Sequence, residues 1–432
     1  MEAHSGILAW WSKTPLYLRI IAGMALGVLT GVALGQQAGP LAIPSKLVLR
    51  LLGALAPALI LMAIVQALVD AKLERGKAGR LMRLLGLNTL VAIFTGLVVA
   101  NLVKPGMWSG ALKPAVRAGG EHAKAQPDML TQFLDNIPRS LVGPLSDDGK
   151  VVGVIFIGLA FGIALRGGRA QKPIRHAKDA IDLMLEVLIA ILHFVIELVP
   201  LAVFGLVASI VGTQGFAPFA ALGAFILAVL VALLLQAAYY LTRVRLGSWV
   251  SPRRLIAQMR DALVMAFSTG SSTVTMPLTY ELLTNKVGLR EESAGLGALV
   301  GANFNNDGTA LYEAMAALFV SQLLAAQGLG AELTLSQQLL VVVTSVVASV
   351  GAAGIPEAGL VTMTLVFNAV DLPTEYIALL LPVDWFLDRC RTVINVLGDI
   401  NVSCMLDGQT REEAGVVTEP SAAPPANAGS RP

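Results

Sequence analysis

The sequence predicts an all-α polytopic membrane protein with eight transmembrane helices and two re-entrant helical hairpins, on three observations. Of its 432 residues 55% are hydrophobic and only 14% charged, with a mean hydropathy of +0.71; soluble domains carry roughly 25% charged residues. Uncharged runs of membrane-spanning length recur along the chain. Two apolar segments in the C-terminal third are broken near their middles by glycine, serine and proline. This composition excludes a soluble enzyme and a disordered scaffold. A net charge of +2 provides no basic stripe for phosphates, so no nucleic-acid partner is expected. Cys390, Cys404 and the four histidines show no zinc, redox or ligand spacing, and no organic cofactor is expected.

Residues 1–14 lack the basic start, short apolar core and cleavage site of a signal peptide, so the first apolar stretch is expected to stay in the bilayer. Uncharged runs follow at 20–45, 51–69, 84–103, 151–165 and 198–242, the last long enough for parts of two spans. With 181–197 leading into it, six helices are expected in 15–242. Basic residues gather in alternate loops: Lys72, Arg75, Lys77, Arg80 and Arg83; then Arg166, Arg169, Lys172, Arg175 and Lys178; then Arg243, Arg245, Arg253, Arg254 and Arg260. The positive-inside rule assigns these loops, and with them both termini, to the cytoplasmic side of a plasma (inner) membrane. The connection 212–219 has no basic residue, as suits an external loop. Segment 104–150 is long, mixed in charge and proline-punctuated, and reads as a second external loop. Residues 408–432 are small and proline-rich and read as a disordered cytoplasmic tail.

Residues 243–407 carry the chemistry. The breaks fall at 266–277 and 349–359. A matched pair of broken segments points to inverted repeats and a mid-membrane site in secondary transporters; a single break would equally suit a kink or a small-residue packing face. Irregular backbone at membrane depth must be buried in protein or line a wet cavity, so both tips are expected to face a site. Between them, Asn305 and Asp307 offer a carbonyl and a carboxylate to a hard cation, and Gly308 permits an unwound turn; a helix-capping loop is the alternative. In the last span Asp384, Asp388, Arg391, Thr392, Asn395 and Asp399 fall within an arc of roughly 100°, with Arg389 off that face. Ionisable groups at membrane depth mark functional sites. An internal salt bridge that merely joins helices would leave the neighbouring breaks unexplained.

At these residues the chain resembles the sodium:dicarboxylate symporter superfamily, and within it the excitatory amino acid transporters and archaeal aspartate transporters. The resemblance is strongest in Asn-Asp-Gly-Thr-Ala-Leu-Tyr-Glu (306–313), Gly-Ala-Ala-Gly-Ile-Pro-Glu-Ala-Gly (351–359) and Val-Asp-Trp-Phe-Leu-Asp-Arg-Cys-Arg-Thr (383–392), continuing through Asn395 and Asp399. It implies a homotrimer in the lipid bilayer, each protomer having a scaffold and an elevator-like transport domain. It also implies a small acidic amino acid as substrate: Arg391 on its side-chain carboxylate, Asp388 on its amino group, with Thr309, Thr392 and Asn395 in contact. Ser271, Ser272 and Thr273, with Gly354, Ile355, Pro356 and Gly359, would take its main-chain carboxylate. A guanidinium fork does match a carboxylate and an acid an ammonium, whereas a plain dicarboxylate would leave Asp388 without a cation.

For Na+, the resemblance implies one site at Asn305, Asn395 and Asp399 and another at backbone carbonyls near Thr309 and the second hairpin. A third uses Asp307 with a tyrosine and two hydroxyls on the third helix, positions held here by Leu85, Asn88 and Thr89. The tyrosine and one hydroxyl are missing. Glu313 stands where excitatory transporters couple protons, and a carboxyl among apolar residues is suited to carry one, so H+ coupling with or without sodium is open. Glu357 at the second tip reads as a surface carboxylate, with proton carrying or gating as its alternatives. The first hairpin has Gly270 where archaeal relatives carry arginine, and Arg389 is expected to brace the acidic site from behind. A glutamate/aspartate symporter is the reading reached; a succinate, malate or fumarate symporter and an anion-conducting, channel-like protein are the alternatives. A hydrolase built on Ser271 and Ser272 lacks a histidine or lysine base.

Overall fold

The computed structural model describes residues 14–70, 75–109, 140–141, 143–146, 151–168, 175–351 and 358–409. The expected N-terminus, most of the external loop and nearly all of the tail lie outside these residues. The described residues form helices and no strand, the all-α architecture the sequence predicts. The longer helices are, in order, α1 (Leu16–Leu34), α2 (Ile43–Asp70), α3 (Arg75–Val103), α4 (Val151–Gly168), α5 (Arg175–Ile196), α6 (Val199–Gln214) and α7 (Ala217–Gly247). Then come α8 (Pro252–Thr269), α9 (Ser272–Leu282), α10 (Asp307–Ala326), α11 (Leu335–Gly351), α12 (Ala358–Ala369) and α13 (Leu381–Asp407).

The uncharged run 20–45 is not one helix. α1 stops at Leu34, where Gly35 turns at φ 53° and returns its N–H to the Gly31 carbonyl. A 3-10 segment containing Pro40 then leads into α2, which starts well before the expected second run. α5 and α6 form one nearly continuous span, linked by the Glu197 N–H to the His193 carbonyl at 3.1 Å. Among the described residues five stretches are long and apolar enough to cross a membrane: Leu16–Gln66, Gly79–Trp108, Lys178–Gln214, Pro218–Gly247 and Asp307–Ala326. The first of them holds both α1 and α2. The hairpin arms are shorter, as re-entrant segments are, and α13 falls outside the set because of its polar stripe. Outward-facing Leu26, Leu29, Phe94, Leu102, Leu227 and Leu234 give these spans the apolar exterior that a bilayer requires.

The helices pack in two groups. α1 lies on α6, and α2 on α4 and α5; α3 lies on α10, while α13 is enclosed by α7, α8 and α10. The groups meet where α2 touches α11 and α12. α10 is buried throughout from Asp307 to Leu324, its polar Asp307, Glu313 and Gln322 included, which makes it the central helix. The C-terminal end of α13 is pinned by Asp407, fully buried, which accepts from Trp249 Nε1 at 2.8 Å and from the backbone N–H and Nε of Arg290 at 3.1 Å. With α13 fixed at that end, its polar face is held against α10 and the first hairpin.

Candidate functional site

The six-residue stripe of α13 folds as its periodicity predicts: Asp384, Asp388, Arg391, Thr392, Asn395 and Asp399 are all buried. Arg391 is fully enclosed. Its Nη2 donates to Asp388 Oδ1 at 2.7 Å and lies 3.3 Å from Asp384 Oδ1, while its guanidinium sits 4.1 Å from the centroid of the Tyr312 ring. Nε and Nη1 have no hydrogen-bond partner. Gly359 leaves room beside them, since a Cβ there would lie 2.8 Å from Nη1. The Thr392 hydroxyl donates to the Asp388 carbonyl at 2.8 Å, which leaves its lone pairs free to accept. Arg389 does not brace this cluster. It turns away, donating to the Trp385 carbonyl at 2.6 Å and stacking on that ring.

The first hairpin turns more tightly than the expected break over 266–277. Only Gly270 and Ser271 lie between α8 and α9, because Gly270 at φ 63° ends one helix and Ser271 caps the next, its Oγ accepting the Val274 N–H at 3.2 Å. Pro277 is accommodated inside α9. Ser272 is buried with its hydroxyl donated to the Ala302 carbonyl at 3.3 Å, and Thr273 is half-buried. Of the second tip, Gly354, Ile355, Pro356 and Glu357 lie outside the described residues; α12 begins just beyond, at Ala358.

Between the hairpins the backbone unwinds at Asn305 and Asn306, at φ −105° and −94° with positive ψ. Gly308 is not the unwound residue. It lies in the first turn of α10, where a Cβ would stand 2.5 Å from the Arg391 carbonyl, so its role is close approach of α10 to α13. Asn395 holds the turn: its Oδ1 accepts the Gly308 N–H at 2.8 Å, and its Nδ2 points to Asn306 Oδ1 at 3.3 Å and Thr309 Oγ1 at 3.4 Å. Asn305 Nδ2 donates to Asp399 at 3.2 Å, yet Asn305 Oδ1 is buried without a partner. An unspent amide oxygen beside a buried carboxylate is a donor set that fits a hard monovalent cation. Glu313 is also fully buried; one of its oxygens accepts from the Thr362 hydroxyl of α12 and Oε2 has no partner.

Asp307 is built differently. Its Oδ1 accepts from Thr89 at 2.6 Å and its Oδ2 from the hydroxyl of Tyr240. Asn88 does not reach it, because its side-chain oxygen accepts from Arg243. Sequence reasoning missed four side chains that touch the candidate site residues: Tyr312, Thr362, Tyr240 and Arg243. A signal for the last two was present, since Gln236, Tyr240 and Arg243 repeat at helical spacing in an otherwise apolar span.

A family model described as the sodium:dicarboxylate symporter family matches residues 16–409. The chain belongs to that family. Among curated members, excitatory amino acid transporter 4 of Mus musculus is 36% identical over 300 residues, covering 66% of this chain and 52% of that protein. A C4-dicarboxylate transport protein of Sphingopyxis alaskensis is 32% identical over 323 residues, covering 74% and 70% respectively. Excitatory amino acid transporter 3 of Mus musculus is 33% identical over 297 residues, covering 67% and 55%. The chain thus spans about half the length of the excitatory transporters it matches. As a member of this symporter family, it is an integral membrane protein of the transporter class.

Proposed function

We propose that the chain is a secondary active symporter of glutamate or aspartate, driven by sodium, protons or both through an elevator movement. The observation that carries this reading is Arg391, buried and paired on one side with two uncommitted N–H groups on the other. Such a fork suits the side-chain carboxylate of an acidic substrate. Asp388 provides the partner for an ammonium, helped by the lone pairs of Thr392, and the N-terminus of α9 presents backbone N–H groups and a helix dipole to the main-chain carboxylate. Gly354, Ile355 and Pro356 are assigned to that carboxylate by resemblance. Sodium binds at Asn305 and Asp399, and neutralising Asp399 favours closure of the second hairpin. In this reading α1, α2 and α4–α6 form the scaffold of a homotrimer and α3 with α7–α13 the moving unit, supported by the two packing groups. The termini are cytoplasmic at an inner membrane, supported by the alternate-loop arginines.

The test is uptake of labelled aspartate into proteoliposomes. Uptake driven by an imposed sodium or proton gradient is expected; indifference to both would sink the reading. The relative named as a C4-dicarboxylate transport protein supports a second reading, which succinate competing far more strongly than aspartate would favour. Current without stoichiometric uptake would favour a channel.

Two substitutions separate the roles. Asp388→Asn is expected to weaken aspartate binding by about 10- to 100-fold, the value of a charge-assisted hydrogen bond, while sparing succinate. Equal losses for both ligands in a titration would reduce Asp388 to a partner of Arg391. Glu313→Gln keeps the hydrogen-bonding outline at α12 and removes the exchangeable proton. Uptake driven by an inward proton gradient at constant sodium is expected to fall to the no-gradient rate, and a retained response would locate the proton elsewhere.

A further inference from the structure

We infer that the pocket at Asp307, where the resemblance implies a third cation, is filled by the chain's own Tyr240 and Arg243, so that transport is coupled to at most two sodium ions. The inference rests on the sodium-coupled reading above. Both carboxylate oxygens of Asp307 are engaged by hydroxyl protons, one from Thr89 at 2.6 Å and one from Tyr240. Asn88, the amide standing where a hydroxyl ligand is implied, gives its oxygen to the Arg243 guanidinium. Tyr240 and Arg243 lie three residues apart on α7 and so share a face. Gln236, one turn earlier, donates to the Asn88 carbonyl at 3.4 Å. Arg243 is steadied over the Tyr239 ring, 5.5 Å from its centroid.

Gly398 makes the arrangement possible. A Cβ there would lie 3.0 Å from the Tyr240 hydroxyl and would collide with the Asn305 amide. Tyr240 is held from the other side by Asn401, whose Nδ2 donates to its carbonyl at 2.9 Å. A sodium ion at Asp307 would have to share two carboxylate oxygens that each already accept a hydroxyl proton, and would lack the amide oxygen that Arg243 takes. It would also meet the guanidinium's positive charge in a medium that screens weakly. A tethered cation stays with the protein through every cycle, whereas a bound sodium ion is drawn from one side and released on the other. The Asn305 and Asp399 pair has no such internal substitute: Asn305 Oδ1 is unpartnered and no basic side chain pairs with Asp399 among the described residues.

The experiment is calorimetric binding of L-aspartate to the purified full chain over a sodium series below saturation, with succinate as the ligand if aspartate does not bind. For two coupled ions, a tenfold fall in sodium raises the apparent Kd by at most about 100-fold, and for three by up to about 1000-fold. The wild type is expected to stay within the first limit, and a steeper dependence overturns the inference while leaving the symport reading intact. Arg243→Met with Tyr240→Phe, which together free the Asn88 oxygen and one Asp307 oxygen, is expected to steepen the dependence beyond 100-fold. Tyr240→Phe alone, which keeps the ring in place, is the variant to use if the pair does not purify as a folded protein; it is expected to steepen the dependence by a smaller factor. An unchanged slope in these variants overturns the assignment of the two side chains. No sodium response in the wild type overturns the sodium-coupled form of the symport reading, and this inference with it, and leaves proton-driven symport standing.

Discussion

Arg391→Ala is expected to weaken aspartate binding by roughly 30-fold to several-thousand-fold, the 2–5 kcal/mol that truncating one partner of a buried charge pair costs. The size follows from what the guanidinium does. It is wholly enclosed, stacks on Tyr312, pairs with Asp388 and Asp384, and holds Nε and Nη1 in reserve. Alanine removes the carboxylate fork and also leaves two buried carboxylates without their countercharge, at a stability cost of about 3–5 kcal/mol. The two effects can be separated. Arg391→Ala combined with Asp384→Asn relieves the repulsion without restoring the fork, so thermal stability is expected to recover while aspartate affinity does not. Arg391→Lys keeps a charge and loses the planar fork, and an intermediate affinity is expected. A neutral amino acid, which makes no demand on the fork, is expected to lose little. If aspartate binds Arg391→Ala with native affinity in calorimetry, the guanidinium does not hold the substrate.

The last helix was legible because its chemistry is local. Six polar residues at helical spacing in an apolar span define a face, and a charged face at membrane depth has to be buried against something. The two hairpins were legible for a related reason, since glycine, serine and proline interrupt helices wherever they occur. Their details were less so. Ser271 shortened the first turn by capping α9, and Gly308 acts through the approach of α13, a neighbour far away in sequence. Tyr240 and Arg243 mark the clearest limit. At the end of an apolar run, Arg243 falls by sequence among the cytoplasmic charges, where a basic residue at a span boundary belongs. Its side chain turns to Asn88 only because α7 packs on α3, and α7 continues to Gly247. Thr362 and Tyr312 have the same character: each matters through a partner on another helix.

Asp399→Asn is expected to remove one sodium ion from the coupling, so that a tenfold fall in sodium raises the aspartate Kd by at most about tenfold instead of about 100-fold. The carboxylate is buried, its side-chain partner is the Asn305 amide at 3.2 Å, and Asn305 Oδ1 stands unpartnered beside it. A buried charge satisfied only by an amide is costly, and sodium relieves that cost by supplying the missing countercharge. Asparagine relieves it without an ion. The variant is therefore expected to be at least as thermally stable as the wild type in sodium-free buffer, and to gain less stability when sodium is added. Those two shifts in opposite directions distinguish loss of a cation ligand from general damage, which would lower stability in both buffers. An unchanged sodium slope would show that Asp399 is satisfied from within the protein, as Asp307 is by the hydroxyls of Thr89 and Tyr240, and the difference between these two buried aspartates would disappear.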